Sequence, residues 1–250
     1  MRKGGLTFAA SMVVTVLGAN FAAADSLDFI TSGQNHPGNY FSSNDTVYWS
    51  NLGVNAAVPN GATTWSQSGV ATTITFGFGT PGRTAVQDPA LDGSWFGNLA
   101  PGQVLLLSHD IHTGASSGTL SLGFGQGVSG AGFQIQTDEL YLFHVQIGVY
   151  DGSTLLATFF GTGYSLSNED NSAAFFGVED LTGANITLIK IAAYGCEDGA
   201  DPVCYGGFAI NHLRLQDGPN STTPEPASWT LLGSSLAILG YLRRLAIRKI

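Results

Sequence analysis

The sequence predicts an all-β body folded as a two-sheet β-sandwich, jelly-roll-like in its strand number. Three observations support this. Short segments rich in Thr, Val, Ile, Phe and Tyr recur along the chain and are bounded by Gly, Asn or Asp. Glycine is abundant, at 34 of 250 residues, and the body holds no sustained helical period. Only 11% of residues are charged, against about a quarter in an ordinary soluble domain. That composition excludes a coiled coil, a charge-rich disordered chain and a helical enzyme of ordinary make-up. Long apolar runs occur only at the two ends, which excludes a multi-span membrane protein.

In chain order, strands are expected at 70–78, 119–124, 133–136, 141–150, 153–160, 173–178, 186–194 and 207–215. The first three alternate apolar and polar residues, the pattern of a half-buried strand. Asp151-Gly152 joins two long strands as a hairpin-turn dipeptide. The glycine run 125–130 stands in a β context and reads as a turn or bulge. One helical turn is conceivable near Asp138-Glu139. Eight to ten such strands with Gly-rich turns make a sandwich of the jelly-roll kind. Residues 25–215 form this single domain, and 216–223 are a polar linker without periodicity.

The charges are sorted along the chain. Six of the nine Lys and Arg residues lie at the termini. Between Asp25 and Glu225 stand all 18 acidic residues and only Arg83, Lys190 and Arg214 as bases, a net of −15. Such a surface repels nucleic acid, and it avoids anionic polymers unless a cation bridges them.

The first 24 residues read as a secretory signal peptide. Met1-Arg2-Lys3 is basic, 6–21 is apolar and uncharged, and Ala22 and Ala24 frame an A-x-A cleavage site before Asp25. The last 27 residues form a tail of three parts: Pro224-Glu225-Pro226, an apolar run at 229–242, and Arg243-Arg244 followed by Arg248 and Lys249. As a helix, 227–242 is about 24 Å long, short of the roughly 30 Å hydrocarbon core. Trp229 and Tyr241 suit the two interfaces, and the basic cluster marks the cytoplasmic end. Pro224 and Pro226 hold the segment between linker and helix extended, as a protease cleft requires.

This tail resembles the PEP-CTERM sorting signal of Gram-negative bacteria, with Thr-Pro-Glu-Pro where many members have Val-Pro-Glu-Pro. The resemblance implies processing by an exosortase and a transient anchor in the inner membrane. It also implies a destination at the cell surface or in an exopolysaccharide matrix. Residues 118–215 are similar to exported jelly-roll bodies that precede such tails, which are like carbohydrate-binding modules in fold.

Cys196 and Cys204 are the only cysteines. In an oxidising compartment they are expected to pair, closing a short loop that contributes on the order of 2–3 kcal/mol. That loop carries Glu197, Asp198 and Asp201, a candidate Ca²⁺ site or a solvated acidic loop. Glu169-Asp170-Asn171 and Glu179-Asp180 are weaker candidates. His109-Asp110-Ile111-His112 has poor zinc geometry on a strand, where its histidines point to opposite faces. His144 and His212 read as ordinary strand residues. Trp49, Trp65 and Trp95 are either core residues or sugar-stacking platforms, and Tyr141 is a further candidate on a concave face. No nucleophile motif is present and no carboxylate pair stands out, so no enzymatic activity and no catalytic residue are expected. The expected function is that of an exported matrix or surface protein. A lectin with a defined glycan is the alternative, and a polysaccharide hydrolase a weaker one.

Overall fold

The computed structural model describes residues 26–32, 42–77, 81–87, 97–108, 119–138, 140–195 and 207–217. The signal segment, the sorting tail, the Cys196–Cys204 loop, Trp95, Glu139 and the His109–His112 motif lie outside them. The described residues form fifteen strands: β1 (Leu27–Ser32), β2 (Asp45–Val47), β3 (Ala57–Val58), β4 (Ala62–Trp65), β5 (Ala71–Phe76), β6 (Gly82–Val86), β7 (Val104–Leu107), β8 (Leu120–Val128), β9 (Gly130–Thr137), β10 (Tyr141–Asp151), β11 (Thr154–Ser165), β12 (Phe175–Asp180), β13 (Ile186–Gly195), β14 (Phe208–Ile210) and β15 (Leu213–Gln216). A 3-10 turn at Trp49–Leu52 is the one named helical element among them. No helix among the described residues is long and apolar enough to cross a membrane.

All pairings are antiparallel and form two sheets. One has six strands in the order β11-β10-β13-β8-β5-β4. The other has nine, in the order β1-β12-β9-β14-β7-β6-β3, with β15 pairing β9 and β2 off that path. The described residues form an all-β sandwich. One apolar cluster draws Ile74, Leu122, Val145, Ile147 and Ile189 from the six-stranded sheet and Phe133, Ile135, Phe176, Ile210 and Leu215 from the other. Phe29 of β1 stacks on Phe159 of β11, with centroids 4.8 Å apart and rings 8° from parallel. Gly161 and Gly163 of β11 leave room for large rings beneath: a Cβ at Gly161 would strike Phe176, and one at Gly163 would strike Phe143.

The expected strands of the second half are present. The expected count was too low, because β1, β2, β3, β4, β6 and β7 are mostly short and carry weak local patterns. The glycine run 125–130 does make an irregularity. Val128 stands opposite Ile186 and Gly123 opposite Leu188, so β8 bulges between them. Gly127 sits there against the Ala184 carbonyl, where a Cβ would not fit. At Ser129 the chain passes from the six-stranded to the nine-stranded sheet, and the Ser129 N–H and hydroxyl both donate to the Gln216 carbonyl.

The alternation of β9 does not mark a wet face. Ala131, Phe133 and Ile135 point into the core, yet Gln134 and Gln136 on the other face are also buried. The Gln134 amide donates to the Asn171 and Ala173 carbonyls, and Gln136 donates to Leu166. The segment after β11 thus covers this strand. Leu99, Leu105, Leu107, Ala85, Ala173 and Ala209 make a second small core there.

The last expected strand is broken in two. β14 and β15 both pair β9, but with a one-residue change of register across Asn211 and His212. Asn211 fills the break. Its N–H donates to the Gln134 carbonyl, its Oδ1 accepts the Gln134 N–H at 2.8 Å, and its Nδ2 donates to Gln134 Oε1 at 2.6 Å. On the far side, β14 is flanked by β7 and β15 by β2, so the sheet forks at this point.

Candidate functional site

The outer face of the six-stranded sheet is built by alternation. Val145, Ile147, Ile189, Ile191, Leu120 and Leu122 point inward, so their neighbours point out. Register then aligns the outward residues in rows. Thr158, Gly148, Lys190, Ser121 and Thr75 form one row across five strands. Phe160, Gln146 and Ala192 form the next. Small residues share the middle of the face with Gln146 and Lys190, and exposed aromatic residues stand on its two edge strands. On β11, Phe160 is 68% exposed and Tyr164 49%, and on β4 Trp65 is 57% exposed. Five strand spacings separate β11 from β4, about 24 Å at 4.7–4.9 Å each.

A recess of about 190 Å³ opens on this face, lined by Thr119, Gln146, Gly148, Tyr150, Thr158 and Lys190 among others. The Tyr150 ring leans back over Gly148, where a Cβ would meet it at 3.0 Å. The Lys190 ammonium lies 4.7 Å from the centre of that ring. The contact is a cation–π pair, worth roughly 0.5–1 kcal/mol at an exposed site. It leaves the lysine's hydrogen-bond donors open, and Lys190 is exposed.

Of the tryptophans, Trp49 belongs to the core. It is fully buried and its indole N–H is satisfied internally. Trp65 is exposed on the sheet edge, and Tyr141 enters β10. His144 lies on the outer face of β10, as a strand residue. His212 does not belong to a strand: it falls in the break between β14 and β15 and lines a recess with Tyr48 and Gln103. The sequence reads 207–215 as one strand, and the polar pair Asn211-His212 is the local mark of the break within it.

The weaker acidic candidates serve their own turns. Asp180 is buried and accepts from the Thr182 N–H and hydroxyl and from the Asn185 N–H and side-chain amide. Asp170 accepts from the Ser172 N–H, beside Asn171 at φ 60°. Glu179 stands directly opposite Asp28 across β12 and β1. Burial, and then the Asp28 charge, push its carboxyl up. Asp45 is the reverse case. Burial pushes its carboxyl up, but hydrogen bonds from the Ser66 and Ser68 hydroxyls and the Ser68 and Thr46 amides outweigh that and hold it below the usual range. Among the described residues no three His, Cys, Asp or Glu side chains assemble as a metal site. Glu197, Asp198, Asp201, Cys196 and Cys204 lie outside those residues.

No protein-family model matches the chain, and no curated protein matches it. Among solved structures the chain is similar to a DUF4465 family protein from Bacteroides caccae, at 13% identity and a TM-score of 0.39, over 69% of this chain and 100% of that one. The two-sheet architecture rests on the strand pairing itself.

Proposed function

We propose that this chain is an exported, non-enzymatic protein of the cell surface or extracellular matrix of a Gram-negative bacterium. Its jelly-roll-like body contacts exopolysaccharide or other matrix components. It is delivered by the signal segment and held briefly in the inner membrane by the tail helix until an exosortase processes it. The observation that carries the reading at the level of the body is the outer face of the six-stranded sheet. Three large aromatic side chains, Trp65, Phe160 and Tyr164, stand exposed on a face whose aligned rows hold Gly, Ala, Ser and Thr together with Gln146 and Lys190. Sugar rings present C–H groups to the negative faces of aromatic rings, and small neighbours let a chain of sugars lie flat on the sheet. The sorting tail supports delivery.

Two measurements test this. The intact mass of protein recovered from the host's surface should match a species from Asp25 to near Pro224; one still carrying 227–250 makes the protein a tethered ectodomain instead. Migration in gels containing the host polysaccharide should be retarded, and a Phe160→Ser, Tyr164→Ser double variant should run freely. Unretarded wild-type protein sinks the polysaccharide contact. A second reading, a lectin with one defined glycan, is favoured by the Tyr150–Lys190 recess. It predicts that a single glycan among many accounts for the retardation.

A further inference from the structure

The fork in the nine-stranded sheet leaves a second concavity, away from the outer face of the six-stranded sheet. β7 and β2 lie one after the other along the β14–β15 strand, and between them no strand among the described residues fills the gap. A recess of about 390 Å³ lies there, lined by Tyr48, Trp49, Ser50, Gly102, Gln103, Val104 and His212. That volume falls at the lower end of the range of small-molecule sites, about 300–1,000 Å³.

Its floor is held in place, and several of its polar groups have no internal partner among the described residues. Trp49 closes the floor, held by its bond to the Asn211 carbonyl. Tyr48 is 43% exposed, and its ring sits 5.9 Å from the His212 ring at 40°. Gln103 shares with Gln87, its backbone partner, a buried side-chain oxygen that no donor among the described residues reaches, but only Gln103 lines the recess. Asn98, Gln134, Gln136 and Asn211 all spend their side chains on internal hydrogen bonds. The Gln103 Oε1 is buried without any donor among the described residues. A half-turn about its last torsion, which is broad and two-fold, exchanges its oxygen and its NH₂. The Tyr48 and Ser50 hydroxyls are likewise free of internal side-chain bonds among the described residues.

The recess also carries no formal charge. Among the described residues, none of those lining it is an acid, Lys or Arg. Burial, and then the Arg214 charge, push the His212 imidazole down to about 4, so it is neutral at neutral pH. The Arg214 Nε donates to His212 Nε2 at 3.4 Å, and its guanidinium lies 5.9 Å from the Phe175 ring. His212 therefore carries its proton on Nδ1.

We propose that this recess binds one uncharged polyhydroxylated ring, the size of a pyranose unit of a neutral glycan. Hydroxyls on such a ring both donate and accept. They can satisfy the Gln103 amide, the Tyr48 and Ser50 hydroxyls and the His212 imidazole together, while the Tyr48 ring covers one C–H face. An anionic ligand would find no cation among the lining residues, and a cation no carboxylate.

Saturation-transfer NMR on the full-length protein tests this, with methyl glucoside and methyl galactoside as neutral probes and glucuronate as the charged one. The neutral probes should receive saturation from the protein, and glucuronate less. Gln103→Leu and Tyr48→Ala, the first near-isosteric and the second at an exposed position, should each weaken binding about fivefold or more, the scale of one hydrogen bond. Leu181→Ser, at an exposed position of the β12–β13 turn, should leave the signal unchanged. Three results overturn the proposal: no transfer to either neutral glycoside, glucuronate binding more tightly than both, or transfer lost in Phe160→Ser but kept in Gln103→Leu and Tyr48→Ala. The last result moves the ligand to the outer face and leaves the matrix reading intact.

Discussion

Trp49 donates its indole N–H to the backbone carbonyl of Asn211 at 2.6 Å, across 162 residues of chain. The bond joins the 3-10 turn to the break in the last strand, and both residues are buried. Asn211 spends its remaining polar groups on Gln134 of β9. One asparagine thus ties a central strand, the fork of the sheet and the floor of the recess together.

The carbonyl of Asn211 should be costly to leave alone. Trp49→Phe keeps an aromatic ring in the core but removes the donor. It should destabilise the fold by about 1–3 kcal/mol, the cost of one unsatisfied buried group. Asn211→Ala should cost more, because the Gln134 N–H and Oε1 then both lose partners. Urea denaturation reads both. A Trp49→Phe midpoint equal to wild type would show that another donor reaches the carbonyl.

Gly163 should tolerate no side chain. A Cβ there meets the Phe143 ring and, at 2.9 Å, the Ala174 Cβ. Gly163→Val should destabilise by about 1–3 kcal/mol through overpacking between the sheets. Gly152, with φ 55° at the β10–β11 turn and open space around it, fails for a different reason. There Gly152→Asn should be nearly neutral and Gly152→Val clearly unfavourable, since asparagine enters the left-handed region and a β-branched residue does not. Thermal melts of the three variants separate steric from conformational cost.

His212 makes stability depend on pH in a defined window. Its folded pKa of about 4 lies below the usual 6.5, so the unfolded chain binds more protons between those values. Stability from this group is fully present above about pH 6.5 and is lost as pH falls toward 4. His212→Gln should remove that part of the slope. Denaturation midpoints across the window check it, and an unchanged slope would place the imidazole in contact with water.

Glu179 has the opposite sign. Its folded pKa is raised, so the folded state holds the proton longer than the unfolded chain. Its contribution to stability is present at low pH and is lost as pH rises from the unfolded value of 4.5 through the folded one. At neutral pH, with the Glu179 carboxyl part-buried and facing Asp28 across the strand pair, Glu179→Gln should therefore stabilise slightly. Equal stability of variant and wild type at neutral pH, with a gap opening only in acid, would contradict this.

The tail makes a prediction independent of the body. Glu225→Ala, or Ala at both Arg243 and Arg244, should leave an unprocessed, membrane-retained form in the host. Wild-type processing and release in both variants would reduce the tail to a plain anchor. Immunoblots of membrane and medium fractions distinguish the two.

The long strands of the second half were legible in the sequence because their pattern is local. Alternation in β5 and β9, the Ile- and Leu-rich stretch of β13 and the Asp151-Gly152 turn are all properties of adjacent residues. The patterns at the two ends of the chain, on which the proposed destination rests, are local too. β2, β3, β6 and β7 were not legible. They are two to five residues long, and they become strands because β15, β6, β7 and β14 supply partners at long range.

The same division holds for the candidate sites. Sequence alone set apart the aromatic residues and the two strand histidines, but it could not say which were core. Trp49 became floor, Trp65 became surface, and His212 left its strand. Only the tertiary structure placed Tyr48, Gln103 and His212 around one recess, because that recess exists where a sheet forks. Forking is decided by which strands pair with β9 and its neighbours, a competition among distant segments for the same backbone hydrogen bonds, and no local pattern encodes its outcome.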